Sequence, residues 1–293
     1  MMLLPKFDFH APGTLDEACR MMAEFGESAR PLAGGTDLIV NMKKGLLSPD
    51  HLVSLSKIRD LKELDAADGT LRIGACVTAA ELAAAGEIKE RFEALSAGAG
   101  GLGSPLIRNL ATLSGNLVSA RPAADLPPSL MAYDARAVLN SSAGNREVPL
   151  NDFFKGPGET VIAPDEILSG IVLEKPEGAF GAAYVKLGVR KALEISLVNV
   201  AVFLTLENGD GPITTARVVL GSVAPTPIRS PSAEAVLKGE RPTDALFERA
   251  AAAASKDSRP IDDFRASARY KRDMVAVLTR RMLTAALEAA RSR

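Results

Sequence analysis

The chain has 293 residues, 47% of them hydrophobic, and its 35 basic and 36 acidic side chains leave a formal net charge of −1. This length allows one large or two moderate domains around a substantial core, and the charge balance argues against a general affinity for nucleic acid, which needs a basic excess. No run reaches the length of a membrane span, and the apolar part of MMLLPKFDFH is too short for a signal peptide, so the expected compartment is the cytoplasm.

Only two cysteines, Cys19 and Cys76, and two histidines, His10 and His51, are present, and neither pair is closely spaced. They offer no ligand spacing for an iron–sulfur cluster or a structural zinc, so no metal site is expected in this chain. Neither histidine sits in a motif for Ser-His-Asp or Cys-His catalysis, and no catalytic residue is assigned. The chemistry is expected to reside in a bound cofactor.

In chain order, TLDEACRMMAEFG (Thr14 to Gly26) reads as a helix with Thr14 and Glu17 as a capping box and Gly26 as its stop. Cys19 falls on its apolar stripe and reads as core. Arg30 to Ala33 is a short strand, and Thr36 or Asp37 can cap a helix running to about Lys44. HLVSLSKI reads as a strand with His51 at its edge, and LRIGACVT as another, followed by a second capping box at Thr78 and Glu81. Ile88 to Ala97 is helical until AGAGGLGSP interrupts it. RAVLNSS, REVPL and EILSGIVLEKP read as strands, a mixture that predicts an α+β fold.

A boundary is placed near 175–180. Beyond it, AAYVKLGV, LVNVAVFLTLENGDG and ITTARVVLGSV predict a three-stranded antiparallel sheet, with NGDG as a hairpin turn and PTPIRSP as punctuation. Two or three helices follow. In the last, from about Ala268 towards Arg291, Tyr270, Met274, Val277, Leu278 and Met282 form the apolar stripe and the basic residues a solvated face.

Two loops carry the chemical signal. RPLAGGTDLIVNMKKGLL places Gly34 and Gly35 between a strand and a helix, where converging backbone N–H groups can cradle an anion. It matches neither a P-loop nor GxGxxG, and a tight turn capped by Asp37 fits equally well. The second loop, in NLATLSGNLVSARPAADLPPSLMAYDA, gathers Thr112, Ser114, Gly115 and Asn116, with Asp125 nine residues after Asn116. Hydroxyls, an amide and exposed N–H groups there can hold a diphosphate, and a carboxylate can accept hydrogen bonds from sugar or ribityl hydroxyls. A Ser/Thr/Asn turn followed by an N-cap aspartate is the plain alternative for this loop. Two such loops in a chain without other chemistry favour a dinucleotide held across both.

LAGGTDLIVNMKKG together with ATLSGNLVSARPAADLPP resembles the FAD-binding medium subunit of the molybdenum hydroxylases, the family of xanthine dehydrogenase, carbon monoxide dehydrogenase and 4-hydroxybenzoyl-CoA reductase. LRIGACVTAAEL and RPIDDFRASARYKRDMVAVLTRRML extend the resemblance over nearly the whole chain. It implies a two-subdomain FAD-binding domain of the vanillyl-alcohol-oxidase (PCMH) type over residues 1–177, with subdomains about 1–57 and 58–177. A carbon monoxide dehydrogenase flavoprotein C-terminal-like domain would occupy residues 178–293. By position, the resemblance assigns FAD contacts to Leu32, Ala33, Gly34, Gly35, Thr36, Asp37 and Leu38, and to Thr112, Ser114, Gly115, Asn116 and Asp125. It adds Leu102, Leu168 and Lys186, with Ile195 near the isoalloxazine. On their own, Leu102 and Leu168 read as core residues and Lys186 as a solvated strand residue.

GNLVSARPAADLPP is continuous and without cysteine, so the extra cluster of the 4-hydroxybenzoyl-CoA reductase type is expected to be absent, and FAD is expected to be non-covalent. The implied function is electron transfer between a [2Fe-2S] small subunit and an acceptor such as NAD+ or a quinone. Substrate chemistry would lie on a molybdopterin-containing large subunit, in a dimer of heterotrimers. The rival readings are a stand-alone flavin-dependent oxidoreductase and a non-redox nucleotide-binding scaffold.

Overall fold

The computed structural model describes residues 3–190 and 193–293. Near the start, Thr14 accepts the Glu17 N–H and Gly26 ends the Leu15–Phe25 helix. The Glu17 carboxylate instead accepts the Gly13 N–H at 2.8 Å, so this cap is one-sided. The reciprocal box forms at Thr78 and Glu81, ahead of the Ala79–Ala84 helix.

Ala18, Cys19 and Met22 pack with Val53, Leu55 and Ile58 beneath a parallel three-stranded sheet, in the order Asp8–His10, His51–Ser54, Ala29–Leu32. His51 therefore begins the central strand. Its ring stacks on Phe25 at 4.0 Å and lies 3.2 Å, nitrogen to nitrogen, from His10, so both histidines are absorbed in packing.

A five-stranded antiparallel sheet comes next, ordered Leu64–Asp65, Thr70–Gly74, Ile167–Glu174, Arg136–Ser141, Gly144–Pro149. The long excursion between its second and later strands holds short helices and the second glycine loop. The helical stretch expected at 88–97 is two helices, Gly86–Arg91 and Glu93–Gly100, broken at Phe92, whose ring is fully buried. The second of these continues through AGAG because its small residues lie against neighbouring backbone and side chains, as Gly98 does against Asp125 and Ser129.

The third sheet joins Phe180–Leu187, Val198–Leu206 and Ile213–Gly221 in antiparallel register. A fourth strand of only two residues, Ile228–Arg229, adds to the expected three. Prolines on either side of it cannot donate to a ladder, which keeps it short. This sheet is covered on both faces, which explains the continuous apolar run VNVAVFLTL. Ala201 and Phe203 pack into the core shared with the five-stranded sheet, while Val200, Val202 and Leu204 pack with the last helices.

The final helix spans Ala268–Arg291, but its buried stripe is rotated from the expected one and runs through Val275, Leu278, Thr279, Leu283 and Ala286. Tyr270 is exposed. Nor are all its cations solvated. Lys271 is 3% exposed, and its Nζ donates to Asp263 Oδ2 and to the Ile261 carbonyl, each at 2.9 Å. Among the described residues, no helix is long and apolar enough to cross a membrane.

Burial opposes ionisation of Asp263. The Lys271 ammonium, the Arg265 guanidinium and the N–H groups of Arg265 and Ala266 outweigh it and hold the carboxyl well below the usual carboxylate range. A depressed folded-state pKa adds stability above the unfolded value of about 3.9, and that stability is lost as pH falls through the acid range below it. Asp263→Asn is therefore expected to lower the melting temperature at pH 7 and to lose less stability than the parent between pH 5 and pH 2.5, as read by circular dichroism melts. Equal acid sensitivity in the two proteins would contradict the assignment.

Candidate functional site

The strand Ala29–Leu32 ends at the first glycine pair. A Cβ on Gly34 would collide with the Leu110 carbonyl, so the first loop touches the segment leading into the second loop, backbone against backbone. Gly35 adopts φ 71°, a left-handed conformation that glycine takes without steric cost. The Leu38–Lys43 helix begins there, with Asp37 at its N-cap position. Asp37 already has helical dihedrals and makes no side-chain cap, and Thr36 caps nothing either. The expected capping role is thus corrected: a cap residue needs extended dihedrals for its side chain to reach back to the helix N–H groups.

The consequence is a row of free donors. The backbone N–H groups of Gly34, Gly35, Thr36, Asp37 and Leu38 have no acceptor among the described residues. Four of these five residues are half-buried and Asp37 is exposed, and five consecutive unpaired donors beside a cavity suit an acceptor-rich group.

The second loop works differently. Thr112 caps the Leu113–Val118 helix by accepting the Gly115 N–H, and the N–H groups of Leu113 and Ser114 donate to Val77 and Ala75. The N–H groups of Leu113, Ser114, Gly115 and Asn116 are therefore all taken, in contrast to the exposed N–H groups expected there. What it offers are side chains: the hydroxyls of Thr112 and Ser114, and the Asn116 amide nitrogen, whose partner oxygen accepts the Leu126 N–H. Together the loops line one cavity of about 600 Å³, within the range of small-molecule sites. Ala33, Gly34, Gly35, Thr36, Asp37, Leu38, Thr112, Ser114, Gly115 and Leu168 all line it. Leu32 lies just behind, its carbonyl accepting the Leu55 N–H.

Asp125, Lys186 and Leu102 form a second cluster. Asp125 does not cap the Leu126–Ala132 helix, because its own backbone is helical. Its carboxylate accepts from Tyr184 Oη at 3.1 Å and from Lys186 Nζ at 2.9 Å. The Lys186 ammonium also donates to the Gly101 carbonyl, next to buried Leu102. Lys186 is thus no solvated strand residue but half of a buried ion pair, its side chain 11% exposed. Burial pushes the Asp125 carboxyl up against the pull of Lys186 and Tyr184, and burial with the neighbouring carboxylate pushes the Tyr184 phenol well up, so it remains a donor. Asn199 Nδ2 grips the adjacent Ala124 carbonyl at 3.2 Å. Ile195 stands apart from both clusters, 56% exposed beside exposed Leu193 and Val189.

Sequence reasoning missed Tyr184 and Asn199, whose pairing with residues some 60 to 75 positions earlier leaves no local trace. It also passed over Arg121, which lines the cavity. An arginine inside a loop of small polar residues was a visible signal.

Removing one partner of a buried ion pair leaves an uncompensated charge and typically costs about 3–5 kcal/mol. Lys186→Met is expected to destabilise the fold on that scale, and the double variant Lys186→Met/Asp125→Asn to recover part of the loss, as measured by urea denaturation. A double variant no more stable than the single one would contradict the pairing.

Residues 5–175 match the FAD binding domain in molybdopterin dehydrogenase, and residues 183–286 match the CO dehydrogenase flavoprotein C-terminal domain. The chain is 31% identical over 289 residues to a xanthine dehydrogenase FAD-binding subunit of Escherichia coli, covering 97% of this chain and 98% of that one. It is 32% identical over 292 residues to the carbon monoxide dehydrogenase medium chain of Afipia carboxidovorans, covering 100% and 99%. Among solved structures, carbon monoxide dehydrogenase of Hydrogenophaga pseudoflava superposes with a TM-score of 0.94 at 30% identity, covering 98% of this chain and 99% of that one. The unpaired donors and small hydroxyls at the cavity suit the phosphates of a dinucleotide, and the matches name it: the chain belongs to the family of FAD-binding medium subunits of the xanthine and carbon monoxide dehydrogenases, with FAD as its cofactor.

Proposed function

We propose that this oxidoreductase subunit is the electron-transfer component of a cytoplasmic molybdenum hydroxylase complex. It would receive electrons from a [2Fe-2S] small subunit and pass them to an acceptor such as NAD+ or a quinone. The organic substrate would react on a molybdopterin-containing large subunit, in a dimer of heterotrimers. The observation that carries the reading is the row of unpaired N–H groups from Gly34 to Leu38, facing a cavity shared with the Thr112 and Ser114 hydroxyls.

When bound, FAD supplies the one- and two-electron chemistry that joins such a donor to such an acceptor. The chain's own residues position it. In this reading FAD lies between an N-terminal unit, 1–177, and a C-terminal unit, 178–293. The first loop, from Leu32 to Leu38, holds the diphosphate through its backbone, and Thr112, Ser114, Gly115 and Asn116 close on it from the second. Asp125 accepts from sugar or ribityl hydroxyls, its carboxylate held by Lys186 and Tyr184. Leu102, Leu168 and Ile195 give apolar contacts.

The cavity lining contains no histidine, cysteine or tyrosine among the described residues. Its glutamate, Glu166, is held by Arg146 at 2.6 and 2.8 Å, which keeps its carboxyl low and acceptor-only. That composition favours non-covalent FAD, and the other carboxylate of the lining, Asp37, is solvent-exposed at the first loop.

The purified chain is expected to show flavin absorption near ~450 nm, to release FAD on acid treatment, and to oxidise no purine, aldehyde or N-heterocycle by itself. A colourless chain that takes up no added FAD would overturn the reading in favour of a scaffold. Turnover of an organic substrate by the isolated chain would overturn it in favour of a stand-alone oxidoreductase.

A further inference from the structure

The cavity wall carries four charged side chains: Arg30, Asp37, Arg121 and Glu166. Glu166 is held by Arg146, and Arg30 donates to the carbonyls of Glu27 and Ala29 at 2.8 and 2.7 Å. Asp37 is an exposed carboxylate beside the free donors of the first loop. The Arg121 guanidinium has neither a hydrogen bond nor a carboxylate partner among the described residues.

The backbone that presents it is heavily constrained. Ala120 has φ 43°, which a non-glycine residue adopts only when its surroundings enforce it. Its N–H donates to Leu117 O and its carbonyl accepts from Gly158, each at 3.0 Å. Arg121 O accepts from Ala124 N at 3.0 Å, and Pro122 O from Ser222 N at 2.8 Å. A strained turn, tied down on three sides, thus holds an exposed, unpaired arginine at the wall of the cavity that both loops line.

We infer that Arg121 is the cation that pairs with the cofactor's diphosphate and makes binding depend on phosphate charge; this rests on the placement of FAD proposed above. The N–H groups of the first loop are neutral donors, and Asp37 adds a like charge at their rim. A diphosphate brings negative charge that neither loop compensates. A guanidinium supplies full charge and a planar fork that meets phosphate oxygens two at a time, which a lysine meets only as a point charge.

The test titrates FAD into the apo-chain by quenching of flavin fluorescence, at low and at high salt, for the parent, Arg121→Gln and Arg121→Lys. Arg121→Gln is expected to raise the FAD Kd by ~10-fold at low salt and to flatten its rise with salt, because the screened attraction is gone. Arg121→Lys should keep most of the salt dependence, and the melting temperature of both apo-variants should equal the parent's. Unchanged FAD affinity and salt dependence in Arg121→Gln would overturn the inference. So would equal losses in both variants with lowered apo-chain melting temperatures, the mark of a folding role. A parent chain that binds no FAD would overturn the cofactor placement as well, which separates the two failures.

Discussion

The site rests on a contact between two stretches of backbone. Gly34 approaches the Leu110 carbonyl so closely that no side chain can stand between them. That approach brings the strand-to-helix turn after Leu32 against the residue that leads into Thr112. Without it, the free N–H groups of one loop and the hydroxyls of the other would face solvent separately. With it, they line a single cavity. The glycine pair is therefore a matter of loop against loop first, and of ligand second: Gly34 permits the contact, and Gly35 turns the chain back into the short helix.

The two loops divide the donor work by chemistry. The N–H groups of the second loop's helix start, Leu113 to Asn116, are taken by Val77, Ala75 and Thr112. The first keeps its N–H groups unpaired. The third sheet anchors the segment just beyond the second loop. Tyr184, Lys186 and Asn199 lie on adjacent strands, with Lys186 opposite Asn199 in register, and all three reach the Ala124–Asp125 segment. A buried carboxylate held by an ammonium and a phenol keeps its direction, and positioning is what a flavoprotein contributes to chemistry that belongs to its cofactor.

Features encoded locally were legible in the sequence. The capping box at Thr78 and Glu81, the Ala268–Arg291 helix and the apolar strands of the third sheet all announce themselves through spacing and composition. So did both glycine loops, because turn residues act on their neighbours. Features set by distant partners were not. Lys271 reads as a solvated helix cation until Asp263 and the Ile261 carbonyl enclose it, and the stripe of that helix turns accordingly. Asp37 and Asp125 read as caps, but their helical dihedrals deny them that role, and dihedrals of single residues are set by packing. The break at Phe92 has the same origin: a large ring claimed by the core outweighs the propensity of the surrounding helix.

We propose that the unpaired run from Gly34 to Leu38 receives the phosphates of FAD. Amide hydrogen exchange of the chain, with and without FAD, is the decisive measurement. Fast exchange is expected at Gly34, Gly35, Thr36, Asp37 and Leu38 in the apo-chain, with strong slowing at these positions once FAD is added and with Leu113 and Ser114 slow in both states. Uniformly slow exchange of the run without FAD, or no change there when FAD binds, would contradict it.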